Sequence, residues 1–422
     1  MNASEQFGAT RWRKASSALV LGGLLAATIG APHVQAQTYT VLHNFSGGAD
    51  GGNPGAGVIR DSAGNFYGAV RMGGCGNHPC CLVFKLNLTA GETALDSFPG
   101  APNTGNASGV IRDSAGNLYG TTQFGGTVNA SCPSGCGVVY KVDSSGNPTV
   151  LYAFAGGADG ANPAAGVIRD LAGNVYGTTQ NGGTASASCA SGCGVVYKLD
   201  TLGNESVLYS FTGGADGANP DGGVILDLAG NLYGTTHSGG TVVGTPCQSG
   251  CGVVYKLDPL SNETVLHSFT GGADGMFPAA GVVRDGAGNL YGTTPFGGAG
   301  ICPGSCGTVY KVDTSGNETV LHNFIGGFDG ALPYAGLILD SAGNLYGTAS
   351  SAGTGNVGVV YKLDASGNET ILYNFMGIVQ PGGGVDGYAP FAGVILDKAG
   401  NLYGTTASGG KYRKGVVYKL TP

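Results

Sequence analysis

Cysteine supplies the most regular chemistry in this sequence. Cys132 and Cys136, Cys189 and Cys193, Cys247 and Cys251, and Cys302 and Cys306 repeat one Cys-x-x-x-Cys spacing; Cys75 and Cys80 are the equivalents nearer the N-terminus, which leaves Cys81 as the odd eleventh. Two chemistries suit such pairs. Each can close a local disulfide, or two pairs can share a zinc ion, which needs four sulfurs about 2.3 Å from one metal. Disulfides are the expectation for an exported chain, each worth about 2 kcal/mol for so short a loop.

Acidic and basic side chains recur as well. Asp50, Asp159, Asp216, Asp274, Asp329 and Asp386 each precede a Gly and then a Pro three residues on. They read as turn aspartates bonding local N–H groups, with a ring of carboxylates around a cation as the sharper alternative. His43, His267 and His322 stand where other repeats have Tyr152, Tyr209 and Tyr373, and read as interchangeable packing residues. His78 and His237 remain, with no GxSxG or HExxH pattern to join them. Paired carboxylates for glycoside chemistry have no clear candidates, because the off-pattern Asp96 and Asp221 read as surface substitutions. No catalytic residue, cofactor or metal site is expected.

The frame that carries these residues is the segment GVIRDSAGNLYG at Gly109–Gly120, two short strands about a turn at Asp113–Asn117, written seven times. Its turn aspartates are Asp61, Asp113, Asp170, Asp227, Asp285, Asp340 and Asp397, spaced 52 to 58 residues apart. Periods of that length indicate an array of supersecondary units. The 83 glycines fall at fixed offsets and so mark turns rather than disorder. Each unit holds four strand-like runs, as in Gly166–Asp170, Asn174–Thr179, Gly194–Asp200 and Glu205–Phe211. Four strands repeated seven times predict an all-β, seven-bladed β-propeller of antiparallel blades, residues 37–422, in preference to a solenoid. The last unit stops one strand short, and TVLHNF at Thr40–Phe45 repeats Thr319–Phe324 residue for residue. The N-terminal strand is therefore expected to complete the last blade and close the ring.

Residues 1–36 read as a signal peptide. Arg11, Arg13 and Lys14 precede the apolar stretch Ala15–Ala31, and cleavage is expected near Ala36. The only tryptophan, Trp12, leaves with it, and 16 basic against 25 acidic residues remain. That balance gives no footprint for nucleic acid, and no later apolar run reaches the ~20 residues of a bilayer span. A secreted or periplasmic monomer is expected.

The repeat unit GVIRDxAGNLYGTT…GG…GCGVVYKLD…GNETVLYSF…GGADG resembles the Gloeo/Verruco (GloVer) tandem repeat over essentially the whole mature chain. The resemblance implies an exported bacterial protein with a β-propeller-like fold. Such proteins often carry a C-terminal surface anchor, and the end at Pro422 without a sorting tail speaks against one here. A broader similarity to NHL-type and sugar-lactone-hydrolase-type propellers rests on GVxxDxxGNxY, and the lactonase metal ligands have no counterpart.

Within a blade the strands run a, b, c, d from axis to rim. The d–a and b–c loops share one face, and that face carries the variable sequence. Ligand-contacting residues are expected there: Arg71, Gln123, Phe124, Gln180, Asn181, His237, Phe296, Tyr412 and Arg413. Amides beside aromatics suit a carbohydrate or a peptide segment. The expected function is a non-catalytic binding or scaffold module, with an extracytoplasmic polysaccharide hydrolase or lyase as the alternative and a purely structural surface protein as the third reading.

Overall fold

The innermost strands are far shorter than the sequence suggests, and the reason defines the axis of the molecule. The computed structural model describes residues 37–71, 82–88, 91–97 (backbone only), 107–241, 246–300, 302, 306–377 and 386–421. In blade 4, strand a is only Ile225–Leu226, followed by strand b at Leu232–Thr236, strand c at Val253–Leu257 and strand d at Glu263–Ser268. Ahead of strand a, a backbone carbonyl accepts from a threonine on strand b of the neighbouring blade. Thr235 Oγ1 donates to Ala280 O of blade 5 (2.8 Å), Thr293 to Ala335 O (2.9 Å) and Thr405 of blade 7 to Ala56 O of blade 1 (2.9 Å). Glycine follows each acceptor because adjacent blades nearly touch at the axis. A Cβ on Gly281 would sit 2.6 Å from Gly223 O, and one on Gly393 would sit 2.8 Å from Gly336 O.

The described strands form seven four-stranded antiparallel sheets and one two-stranded pair, Gly387–Tyr388 with Ser408–Gly409, with no helix among the described residues. The molecule is a seven-bladed β-propeller. Blade 7 is assembled from both ends of the chain: Thr38–Asn44 pairs with Val416–Thr421, followed by Leu402–Thr406 and Ile395–Leu396.

The core lies between blades rather than at the centre. Tyr233, Val254 and Phe269 of blade 4 pack with Val282, Leu290 and Tyr310 of blade 5. An edge-to-face pair recurs at these seams, from the strand d phenylalanine of one blade to the strand c ring of the next: Phe211–Tyr255 (5.1 Å), Phe269–Tyr310 (5.0 Å), Phe375–Tyr418 (5.4 Å) and, across the closure, Phe45–Phe84 (5.2 Å).

The recurring acidic turns are structural. Asp227 Oδ1 accepts from the backbone N–H of Asn231 (2.8 Å), and its Oδ2 accepts from Asn231 Nδ2 (2.9 Å) and Tyr233 OH (3.1 Å). Burial pushes this carboxyl upward, but the hydrogen bonds outweigh it and hold the group below the usual carboxylate range. The d–a aspartates likewise hold turns: Asp216 accepts from Tyr209 OH (3.2 Å) and from Thr212 N (2.7 Å) and Oγ1 (2.6 Å). They face the outer strands, so the alternative of a carboxylate ring at the channel mouth is not what forms. Tyr152, Tyr209, Tyr373 and His43 at the shared strand d position therefore hold their aspartates and are more than packing residues.

Across four seams, the aspartates Asp159, Asp216, Asp274 and Asp329 meet the glutamate that starts the next strand d. Burial, then the charge of Asp159 or Asp216, raises Glu205 and Glu263 to about 7 from 4.5. A carboxyl raised in the folded state stabilises the fold below its unfolded value, and that stability is lost as pH rises through the folded value. The turn aspartates, held low, lose theirs only below pH 3.8. The melting temperature is therefore expected to peak near pH 4–5 and decline by about pH 7. Glu205→Gln with Glu263→Gln should flatten that decline, which represents about 1 kcal/mol per group after solvent screening. Thermal melts across pH check this; an unchanged slope in the double variant would contradict it.

Candidate functional site

Seven strand a entrances surround a cavity of about 590 Å³ at the axis, with Arg71, Gln123, Gln180, Asp221, Tyr334 and Phe391 among its lining side chains. They divide the mouth into two arcs. The polar arc crosses blades 1 to 4. Gln123 Nε2 donates to Gln180 Oε1 (2.6 Å), and Gln180 Nε2 donates to Asp221 Oδ1 (2.5 Å). Arg71 stands at the start of the arc, over Gly55, whose missing side chain leaves the guanidinium its place: a Cβ there would lie 2.0 Å from Arg71 Nε.

The aromatic arc continues through blades 4 to 7. His237 stacks on Phe277 (4.9 Å between centroids, 10° between planes). Phe277 meets Phe296 edge-on (6.4 Å), Phe296 meets Tyr334 (6.0 Å) and Tyr334 meets Phe391 (5.8 Å).

Backbone geometry sets both arcs. The residue before the loop proline takes a left-handed conformation, at φ 57° in Asn162, 54° in Asn219, 59° in Phe277 and Leu332, and 56° in Ala389. Asparagine tolerates that region, and its side chain is used: Asn219 Nδ2 donates to Gln180 O (2.9 Å) and Asn162 Nδ2 to Gln123 O (3.0 Å), fixing the two amide residues from the adjacent blade. Phe277 and Leu332 hold the same conformation without that compensation, at a cost of about 1 kcal/mol or more each. For Phe277 the result is the stack on His237.

Asp221 is the most chemically distinctive group. Burial raises its carboxyl above the usual carboxylate range, against the opposing pull of the Gln180 hydrogen bond and the charge of His237. The sequence suggested an ordinary surface substitution at Asp221; the structure corrects this, placing it partly buried at the channel mouth. The residues Phe277, Tyr334 and Phe391 were also not anticipated. The available signal was positional, since Asp221, Tyr334 and Phe391 each follow the d–a loop proline, where other blades have Gly55, Ala164 and Ala279.

Of the residues expected on this face, Arg71, Gln123 and Gln180 line the cavity, while Phe296 stands behind it against Tyr334 and His237 joins it through Phe277. Asn181 instead bonds Asn162 Oδ1 through its Nδ2 (3.1 Å), and Phe124 gives its carbonyl to Thr122 Oγ1 (2.7 Å). Tyr412 is exposed and lies under Lys411 Nζ (5.1 Å), and Arg413 sits in the exposed turn beside it at φ 61°. None of these four lines the cavity.

The four described cysteine pairs are disulfides with Cα–Cα separations of 5.1 to 5.4 Å: Cys132–Cys136, Cys189–Cys193, Cys247–Cys251 and Cys302–Cys306. They pack into the seams, Cys136 with Phe154 and Cys251 with Phe269. Sulfur is thereby committed, and zinc shared between pairs does not arise. Four disulfides fit an extracellular or periplasmic protein, and no helix among the described residues is long and apolar enough to cross a membrane. Residues 1–36, Cys75, Cys80, Cys81 and His78, and the side chain of Asp96, lie outside the described residues.

A model of the Gloeobacter/Verrucomicrobia repeat matches residues 27–245 and 183–382. The chain belongs to the Gloeobacter/Verrucomicrobia repeat family. No curated protein matches this repeat protein. Among solved structures it is similar to the extracellular domain assigned to a one-component system of B. thetaiotaomicron, at 11% identity and TM-score 0.50, covering 85% of this chain and 37% of that one. It is also similar to a gluconolactonase from Xanthomonas campestris (14%, TM-score 0.42, covering 81% and 89%) and to a luciferin-regenerating enzyme (16%, TM-score 0.42, covering 77% and 93%). Identities this low speak to the propeller fold. Against the expectation of a non-catalytic binding or scaffold module, two of these three neighbours, the gluconolactonase and the luciferin-regenerating enzyme, are enzymes by name.

Proposed function

We propose that this repeat-family propeller is an extracytoplasmic hydrolase acting on carbohydrate, exported by residues 1–36 as a signal peptide, with Asp221 as its general acid. The observation that carries this reading is the Gln123–Gln180–Asp221 line facing an aromatic arc across one cavity. The flat rings of Tyr334 and Phe391 present apolar faces on which sugar rings stack, while Gln123 and Arg71 offer hydrogen bonds to hydroxyl or carboxylate oxygens.

The chemistry follows from the protonation states. Burial keeps a proton on Asp221 above the pH at which ordinary carboxyls lose it. That proton passes to the leaving oxygen as the C–O bond breaks, and water supplies the new C–O bond. The proton that the attacking water releases passes to solvent, and solvent returns one to the Asp221 carboxylate, which restores the acid.

Incubating the full chain with a panel of neutral and uronate-bearing oligosaccharides tests this. Turnover is expected, with kcat falling ~10²–10⁴-fold in Asp221→Asn and KM little changed. Gln180→Ala should move the alkaline limb of the rate profile upward, because it removes the bond that favours the ionised carboxylate. Absence of turnover across the panel, or full activity in Asp221→Asn, would sink the proposal.

A further inference from the structure

Away from the channel, on the rim between blades 5 and 6, three metal-ligating side chains converge without satisfying one another. His322 comes from strand d of blade 5 (Glu318–Asn323), Asp329 from the loop that follows, and Glu369 from the start of strand d of blade 6 (Glu369–Asn374). Their ligand atoms all lie within 4.8 Å of one another. His322 Nε2 is 3.7 Å from Asp329 Oδ2 and 3.7 Å from Glu369 Oε1, beyond hydrogen-bond reach in both directions. His322 Nε2, Asp329 Oδ1 and Glu369 Oε1 are each shut off from solvent and without a hydrogen-bond partner. Orphaned buried polar atoms call for a missing partner; Glu205, Glu263, His267 and Glu318 also leave one such atom each at other seams, but only here do the histidine, the aspartate and the glutamate all do so among the described residues.

The other described seams show what normally fills the place. Between blades 2 and 3, and 3 and 4, a tyrosine hydroxyl reaches the aspartate: Tyr152 to Asp159 (3.1 Å) and Tyr209 to Asp216 (3.2 Å). Between blades 4 and 5 the histidine is present as His267, but Thr270 Oγ1 donates to Asp274 Oδ1 (2.7 Å) and its backbone N–H to Oδ2 (2.7 Å), so both oxygens are occupied. Ile325 stands in the position of that threonine, and only its backbone N–H reaches Asp329 (2.8 Å, to Oδ2). Between blades 6 and 7, Tyr39 replaces the glutamate and stacks on Tyr373 (4.2 Å). Among the described seams, histidine, an aspartate with a free oxygen and a glutamate coincide at this one alone.

We propose that His322, Asp329 and Glu369 bind one divalent cation of the zinc class, clamping blade 5 to blade 6. One imidazole nitrogen and two carboxylate oxygens are a donor set zinc accepts, with bonds of about 2.0–2.2 Å and water as the fourth ligand. Calcium wants 6–8 oxygens and is served poorly by an imidazole. Tetrahedral zinc bonds of that length set ligand atoms about 3.4 Å apart, so the two 3.7 Å histidine distances must close by about 0.3 Å and the carboxylates must draw together from within 4.8 Å, while side-chain exposures of 17%, 14% and 12% leave a way in for the ion and its water. His322 is already oriented by its edge-on contact with Phe324 (4.8 Å, 82°). Two buried carboxylates side by side also repel, and a cation relieves that cost. The site follows the last disulfide of the chain, Cys302–Cys306, and lies where the cysteine staples stop. No metal was legible in the sequence at this place, because the three ligands belong to two repeats.

The test is zinc titration of the chelator-treated full chain by calorimetry, with melts in parallel. One zinc per chain is expected, raising the melting temperature by a few °C at saturation. His322→Tyr, which installs the side chain found at Tyr209, should fold and lose that site, as should Glu369→Gln. His267→Tyr should keep both stoichiometry and shift. Zinc binding that survives His322→Tyr and Glu369→Gln, binding lost equally in His267→Tyr, a response to calcium but not zinc, or no zinc response at all would overturn the proposal.

Discussion

Removal of Thr38–Phe45 should lower the melting temperature by about 10 °C or more and expose a strand edge that drives self-association. The segment does four things at once. It pairs with Val416–Thr421 in a ladder from Thr38↔Thr421 to Asn44↔Val416. Tyr39 stacks on Tyr373 of blade 6 (4.2 Å) and packs by Tyr418 (5.5 Å). Phe45, fully buried, carries the edge-to-face contact to Phe84 of blade 1 (5.2 Å). Asn44 Oδ1 accepts from the backbone of Lys411 (2.7 Å). Burial of Tyr39, Val41, Leu42 and Phe45 at about 2 kcal/mol each exceeds the net stability margin of many domains. Val416–Thr421 would become an unpaired edge. Calorimetry and light scattering read both effects, and a truncated chain that melts with the full one and stays monomeric would refute the closure as a stabilising device.

Gly234→Ala should cost about 3 kcal/mol or more, an unusual penalty for adding one methyl group. The new Cβ would lie 2.5 Å from Tyr255 Oη and 2.7 Å from its Cζ. Tyr255 is fully buried and locked by Phe211 at 5.1 Å, so it has nowhere to move. The same pairing recurs in other blades, for example Gly177 with Tyr197 and Gly404 with Tyr418. Tyr255→Phe should be neutral or mildly stabilising, because Tyr255 Oη is buried without a partner and blade 1 already uses Phe84 opposite Gly68. Denaturant melts of the two variants separate the predictions: comparable losses in both would mean that the hydroxyl, not the close approach, sets the cost.

Much of the scaffold was legible because its determinants are local. A strand–turn–strand unit needs an aspartate, a glycine and an asparagine within a few residues, and Asp227, Gly230 and Asn231 show the whole logic inside one turn. Cysteines four apart could close only on each other once the loop folded, as Cys247 and Cys251 do. The identity of Thr40–Phe45 with Thr319–Phe324 announced ring closure, since a repeat missing from one end and present at the other can be completed in space.

The site was legible only in part. Variable loop positions pointed to Gln123, Gln180 and His237, but Asp221 acquires its character from burial in the closed ring, with Gln180, 41 residues away in another blade, as its hydrogen-bond donor. Phe277 was hidden for a different reason: its left-handed conformation before a proline runs against local preference and is imposed by packing. His322 and Glu369 likewise meet only because two blades abut. The sequence by itself determined the blades, their number, their turns and their closure, all products of short-range hydrogen bonding and periodic burial. The tertiary structure decided which side chains of different blades share a space, because those distances are set by the closing of the ring and by no single repeat.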